Sequence, residues 1–186
     1  KHLKDIKDKK INILELGSFA GASAAAFVKY FPNAKVFCFD INISNFKYKS
    51  RNIEVYGLDI NNKITVKKTL KKIFKKNEIN NFDIIIDDGS HYLSDILFSI
   101  NYFFKYLKTK GFFIIEDYKH PNYYKYNKNI NHILVDEVLN NLKNKIFFNS
   151  SIISNENQKY LMNSINQIET YEGNLKDSNI FFIYKK

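Results

Sequence analysis

The sequence predicts an α/β fold, a doubly wound and mostly parallel sheet that ends in an antiparallel C-terminal hairpin. Three observations lead there. Apolar runs rich in β-branched and aromatic residues alternate with helix-patterned segments, the mark of strands buried on both faces. Two of those runs end in clusters of acids, as strands do when they deliver side chains to a sheet edge. The last segment, IETYEGNLKDSNIFFIYKK, reads as two strands joined by a Gly-Asn-containing turn.

Taken in order, Ile11–Leu16 (INILEL) is the first strand, followed by small residues and a helix over about 22–31 that Pro32-Asn33 breaks. Lys35–Asp40 (KVFCFD) is the second strand and Ile53–Asp59 (IEVYGLD) the third. The run Lys67–Lys76 sets Leu70, Ile73 and Phe74 at helical spacing, so its lysines read as a solvated helix face. Phe82–Asp88 is the fourth strand, a helix follows over about 94–108, and Gly111–Asp117 (GFFIIED) is the fifth. Residues 119–131 (KHPNYYKYNKNIN) form a polar, tyrosine-rich loop, and 133–142 are helical. Right-handed crossovers place helices on both faces. With no repeat and no linker composition, residues 1–186 are expected to form one domain.

Hydrophobic content of 45% with 26% charged residues is ordinary for a soluble globular chain. No apolar run approaches the ~20 residues of a membrane span, and no signal peptide is visible. The single cysteine, Cys38, lies inside an apolar run; it excludes an internal disulfide and reads as a buried structural thiol. These features predict a cytoplasmic protein, and Lys1 in place of methionine leaves open whether an upstream segment has been trimmed. The net charge of +10 invites nucleic acid, but Arg51 is the only arginine, and readers of nucleic acid use arginine for bidentate contacts. Heavy use of lysine, asparagine and isoleucine fits codons of an AT-rich genome instead.

The loop ELGSFAGAS (Glu15, Gly17, Ser18, Gly21 and Ser23) joins the first strand to its helix. Its glycines let backbone approach a ligand, and the helix N-terminus behind it favours an anionic group. Asp40 closes the second strand, where an acid accepts both ribose hydroxyls. A dinucleotide fingerprint would read G-x-G-x-x-G, but this loop reads E-x-G-x-x-x-G, without the glycine that admits a pyrophosphate. Glu15 would repel a diphosphate yet could orient an amino acid's amine, which favours S-adenosylmethionine over NAD. Asp59 could reach an adenine amino group from the same rim, or cap the segment after it.

Strand four ends Asp87-Asp88-Gly-Ser-His91 and strand five ends Glu116-Asp117. Four carboxylates on one edge repel one another unless a cation joins them, and oxygen donors suit Mg²⁺, with Mn²⁺ or Ca²⁺ behind it. Asp88, Glu116 and Asp117 can supply three oxygens, while Asp87 faces the cofactor or the sheet. His91, beyond a flexible Gly-Ser, can take a proton near neutral pH and activate a hydroxyl nucleophile with the metal. His120 is a second base candidate, His132 reads as structural, and His2 lies near a frayed terminus. Tyr118, Tyr123 and Tyr124 could stack on a sugar face.

With these residues the chain resembles class I S-adenosylmethionine-dependent methyltransferases. More narrowly, it is similar to the metal-dependent O-methyltransferases of macrolide sugars and the cephalosporin-hydroxylase-like group. The resemblance covers about residues 11–186 and is carried by ELGSFAGAS, Asp40, IDDGSH, GFFIIED and the closing FFIYKK. It implies a Rossmann-like, seven-stranded sheet whose last strand is antiparallel. It also implies Mg²⁺ on Asp88, Glu116 and Asp117, His91 as general base, and a cofactor over Gly17–Gly21 with its ribose on Asp40 and adenine near Asp59. The expected partner is a small-molecule hydroxyl substrate, a sugar or glycoside, with a homo-oligomer possible. Three rivals stand beside this reading: a nucleic-acid or protein methyltransferase, a non-catalytic cofactor-binding protein, and a nicotinamide oxidoreductase.

Overall fold

The computed structural model describes residues 3–123, 125–127, 130–173 and 178–186. Alternating strands and helices run β1 (Asn12–Leu16), α1 (Ala22–Tyr30), β2 (Lys35–Asp40), β3 (Ile53–Gly57), α2 (Lys63–Asn77), β4 (Phe82–Asp87), α3 (Leu93–Phe103) and β5 (Leu107–Glu116). The short α4 (His120–Tyr123), then α5 (Val135–Asn144) and α6 (Asn155–Ser164), lead to the hairpin strands β6 (Ile165–Glu172) and β7 (Asn179–Lys185). The seven strands form one sheet in the order β3-β2-β1-β4-β5-β7-β6. Pairings from β3 through to β5 are parallel, while β7 is antiparallel to both β5 and β6. The expected architecture is therefore observed. The expected Gly173-Asn174 turn lies partly outside the described residues.

Two apolar layers enclose the sheet, because successive strand side chains point to opposite faces. On one face Leu14, Phe37, Ile85 and Phe113 pack against Val66, Leu70 and Ile73 of α2, Leu97 and Ile100 of α3, and residues of α5 and α6. On the other, Ile13, Val36, Cys38, Ile84 and Ile114 pack against Ala24 and Phe27 of α1. Cys38 is fully buried, as expected of a structural thiol. No helix among the described residues is long and apolar enough to cross a membrane.

Several boundaries differ for identifiable reasons. The lysine-rich helix begins at Lys63, because the Asn62 side chain accepts from Thr65 N and caps it. The helix expected over 94–108 stops at Phe103; one tight turn, Phe104–Tyr106, leads into β5. That strand starts at Leu107 rather than Gly111, and Lys108 in the polar LKTKG run pairs with Asp83 of β4 at 2.8 Å. The third strand stops at Gly57, so Asp59 lies two residues past it. Helix α4 interrupts the expected loop. Helix α6 was not expected; its sequence NENQKYLMNS is polar, and it folds by burying Gln158, Leu161 and Met162. The Gln158 amide accepts from Phe148 N and donates to the carbonyls of Phe148 and Ile153, clamping the chain before the helix.

Register aligns the strand ends. Leu16 is level with Phe39 and with Asp87, and Asp87 with Ile115. The residues that follow, Gly17, Asp40, Asp88 and Glu116, therefore stand side by side along the carboxyl edge. Ligands of open α/β sheets bind at that edge.

Candidate functional site

Gly17 and Gly21 adopt φ of +84° and +81°, a region that side chains disfavour. A Cβ on Gly17 would fall 2.5 Å from Gly89 Cα, and one on Gly21 would fall 2.5 Å from the Phe46 ring. The loop thus lies directly against the end of β4. Asp40 braces it from the other side: Oδ2 accepts from Ser18 N at 2.9 Å and Phe19 N at 2.7 Å, and Oδ1 accepts from Asn42 N at 2.8 Å. Phe19 itself is 70% exposed with φ +40°, an apolar side chain held out over the loop.

Two cavities flank Gly17. One of about 320 Å³ has apolar walls from Phe39, Ile41, Leu58 and Ile60 and carries Asp40, Asp59, Asp88, Ser90 and Asp95. The other, about 270 Å³, opens at the N-terminus of α1 between Ser18, Ala22, Ser23 and Asp88. No side chain caps that helix, so its first N–H groups are left without a side-chain acceptor. Beneath the loop Glu15 is fully buried. Its Oε2 is 3.6 Å from Cys38 Sγ, while Glu15 Oε1 and Ser18 Oγ find no hydrogen-bond partner among the described residues. Burial pushes the Glu15 carboxyl above its ordinary range.

Asp59, Asn61 and Asp95 form the far rim. Asp59 Oδ1 accepts from Asn61 N at 2.9 Å, and Asn61 Nδ2 donates to Asp95 Oδ1 at 3.1 Å. Ser90 Oγ also donates to Asp95. Asp95 and Asn61 escaped the sequence reading. An acid in the first turn of a helix is an ordinary N-terminal signal, so Asp95 carried no separate mark.

Asp88, His91 and Asp117 come together, each offering a ligand atom within 4.8 Å of the others. His91 Nε2 lies 3.9 Å from Asp88 Oδ1. His91 and Asp117 hold φ of +57° and +50°, costly for non-glycine residues, so strain concentrates here. Burial, then the charges of Glu116, Glu15 and Asp117, push the Asp88 carboxyl up to about 8. Burial, then the neighbouring His120, lower the His91 imidazole. The rings of His91 and His120 are 4.7 Å apart, and His120 Nε2 is 3.9 Å from Asp117 Oδ2.

Three expected residues take the following places. Glu116 stands close enough to raise Asp88 by its charge, and His91 joins Asp88 and Asp117 in the tight group. Asp87, expected to face the cofactor or the sheet, turns into the interior: it shares the face of Ile85, accepts from Ser99 Oγ of α3, and takes Gly89 N–H at 3.3 Å. Tyr118, one of three tyrosines that could stack on a sugar, is 3% exposed and packs on Phe181 with centroids 3.9 Å apart. Tyr123 is exposed, whereas Tyr124 and His2 lie outside the described residues.

The Asp87 arrangement has a measurable consequence. Ser99→Ala strands a buried carboxylate without its hydroxyl donor, and urea unfolding is expected to show a loss of about 1–3 kcal/mol.

Over 126 residues the chain is 30% identical to L-olivosyl-oleandolide 3-O-methyltransferase of Streptomyces antibioticus, covering 63% of this chain and 30% of that protein. Over 124 residues it is 26% identical to mycinamicin VI 2''-O-methyltransferase of Micromonospora griseorubida, covering 63% of this chain and 29% of that protein. The chain thus spans less than a third of the curated relatives it matches. The solved structure of the MycE methyltransferase of the mycinamycin pathway, in complex with Mg and SAH, superposes with a TM-score of 0.73. That match has 21% identity and covers 99% of this chain and 47% of the other, a likeness of fold. The methyltransferase domain model matches residues 7–168, from ahead of β1 into the hairpin. A seven-stranded sheet with a reversed last strand, a glycine loop at its first turn and this match together place the chain in the methyltransferase domain family.

Proposed function

We propose that the chain is an S-adenosylmethionine-dependent, divalent-metal-assisted O-methyltransferase acting on a hydroxyl of a sugar or other small molecule. The observation that carries the reading is the convergence of Asp88, His91 and Asp117 beside a cavity that Asp88 itself lines.

The residues fit the cofactor. Glu15 Oε1 and Ser18 Oγ lie buried under the glycine loop with no hydrogen-bond partner among the described residues, and the uncapped start of α1 suits a carboxylate. Asp40 and Asp59 stand on the rim of an apolar cavity, as an adenosine's ribose and base require. S-adenosylmethionine would supply a sulfonium methyl group open to displacement by oxygen.

The residues also fit a hard cation. Asp88 and Asp117, with Glu116 beside them, would hold Mg²⁺ or Mn²⁺; without a cation, burial and then the charge of Glu116 push the Asp88 carboxyl up to about 8. Such an ion would acidify a coordinated hydroxyl. His91, its imidazole held neutral by burial, accepts the hydroxyl proton at Nε2. The relatives support the sugar assignment, since both are named for O-methylation of macrolides, one of them a glycoside by name.

Two measurements bear on this. Methyl transfer to a panel of glycosides and nucleotide sugars should require Mg²⁺ and stop in EDTA; transfer unaffected by EDTA would remove the metal from the reaction. Because the imidazole is lowered from its ordinary 6.5, kcat/KM should rise with pH and level off below that value. His91→Ala should remove this limb and slow turnover by about 10²–10⁴-fold.

A further inference from the structure

We propose that Tyr92 and Tyr126 form a one-sided aromatic platform that seats the saturated ring of a glycoside beside Asp88, His91 and Asp117. The inference rests on the O-methyl-transfer reading and names the feature that selects its substrate.

Tyr92 follows His91 directly and stays 42% exposed, although burying its ring would be favourable. It is nonetheless held still. Its ring stands edge-on to Tyr126, with centroids 4.9 Å apart and planes at 86°. Tyr92 N–H donates to Ser90 Oγ at 3.3 Å. Leu93 N–H donates to the Tyr126 carbonyl at 2.7 Å, which ties that segment to the start of α3. Tyr126 in turn lies nearly parallel to His120, with centroids 5.5 Å apart and planes at 12°. His120 is 4.7 Å from His91. Four rings therefore run in contact from an exposed tyrosine to the proposed base. An aromatic side chain fixed before the ligand arrives loses little entropy on binding it.

The angle between the tyrosines selects the ligand's shape. A planar aromatic substrate is gripped best between two parallel faces, and these two rings are perpendicular. One exposed ring suits a pyranose, which lays its C–H face on an aromatic surface and keeps its hydroxyls at the edge. Those edge hydroxyls are what the carboxylates and imidazole of the group can engage.

Ligand-observed saturation-transfer NMR on the whole chain reads the platform without requiring turnover, using methyl α-L-rhamnopyranoside and catechol as probes. Wild type and Tyr92→Phe should saturate the glycoside. Tyr92→Ala and Tyr126→Ala should weaken its binding by about tenfold or more. S-adenosylhomocysteine affinity, measured by calorimetry, should stay within about twofold, which shows that the variants remain folded. Unchanged glycoside binding in Tyr92→Ala overturns the platform, as does absence of binding in wild type or its displacement by equimolar catechol. Methyl transfer is read on the same samples. If transfer is absent while Tyr92→Ala still loses the glycoside, the O-methyl-transfer reading falls and the platform stands.

Discussion

Asp88→Asn should lower kcat by about 10³-fold or more, the scale expected when a charge-stabilising group at a reaction centre is lost. S-adenosylhomocysteine should still bind, since the Asp88 backbone and the glycine loop keep their contact and only one oxygen becomes nitrogen. The same substitution should make the metal-free protein more stable. The folded-state carboxyl is pushed up to about 8 from an ordinary 3.8 by burial and by Glu116, Glu15 and Asp117. A raised carboxylate binds more protons folded than unfolded, so its contribution to stability declines as pH climbs between those values. In EDTA, the melting temperature of wild type should therefore fall from pH 5 to pH 8 more steeply than that of Asp88→Asn. With excess Mg²⁺ the order should reverse, because binding to the folded state adds stability that the variant cannot collect. A variant that is slower, yet melts higher only without metal, is the signature of a site assembled at the expense of the fold. If Mg²⁺ shifts neither protein, the carboxylates are not a cation site.

Much of this was legible in the sequence because a parallel sheet converts strand ends into neighbours. Asp88 of IDDGSH and Glu116 of GFFIIED lie 28 positions apart in the chain, yet β4 and β5 pair level, and the two become adjacent. The same rule brings Gly17 and Asp40 into line, and their roles in shaping the edge follow from residue type alone.

The roles of consecutive acids were not legible. Asp87 and Asp88 must point to opposite sides of the sheet, but β4 is apolar on both faces, so the sequence carries no mark of which side meets α3. The structure settles it by parity: Ile85 packs with Leu97 and Ile100, and Asp87, two residues on, meets Ser99 of the same helix. Tyr118 was misread for a related reason. A tyrosine opening a polar, tyrosine-rich run looks exposed, and only tertiary contact with Phe181 buries it. The rim residues Asn61 and Asp95 and the wall residue Ile41 needed three dimensions, since they come from two separate connections and the first turn of α3. Tyr126 lies in the tyrosine-rich run that was noted, but nothing local distinguishes it from Tyr123.

Gly17→Ala should be among the most damaging single substitutions in the chain, because one small change acts on the fold and the site together. The added methyl group meets backbone: the Asp88 carbonyl and, at 2.5 Å, Gly89 Cα. Backbone cannot step aside as a side chain does, and Asp88 N is itself bonded to the Leu16 carbonyl at 2.9 Å. To this is added the strain of φ +84° in a residue with a Cβ, worth about 1–2 kcal/mol. The combined loss should exceed about 4 kcal/mol, in the range that marks a steric conflict in the interior. Gly21→Ala provides the contrast. Its φ of +81° is equally unfavourable, but the obstacle is the ring of Phe46, a side chain that can turn away. Gly89→Ala is milder still, with no positive φ and a nearest approach of 3.2 Å to Asp87 Oδ1. Urea unfolding should rank the losses Gly17, Gly21, Gly89. Any Gly17→Ala protein that does fold must have moved the end of β4 away from the loop. It should then lose cofactor affinity and metal response together, although neither Gly17 nor its new methyl group supplies a ligand atom. Loss of cofactor affinity with an intact Mg²⁺-induced shift would show that the two halves of the site are not coupled through this contact.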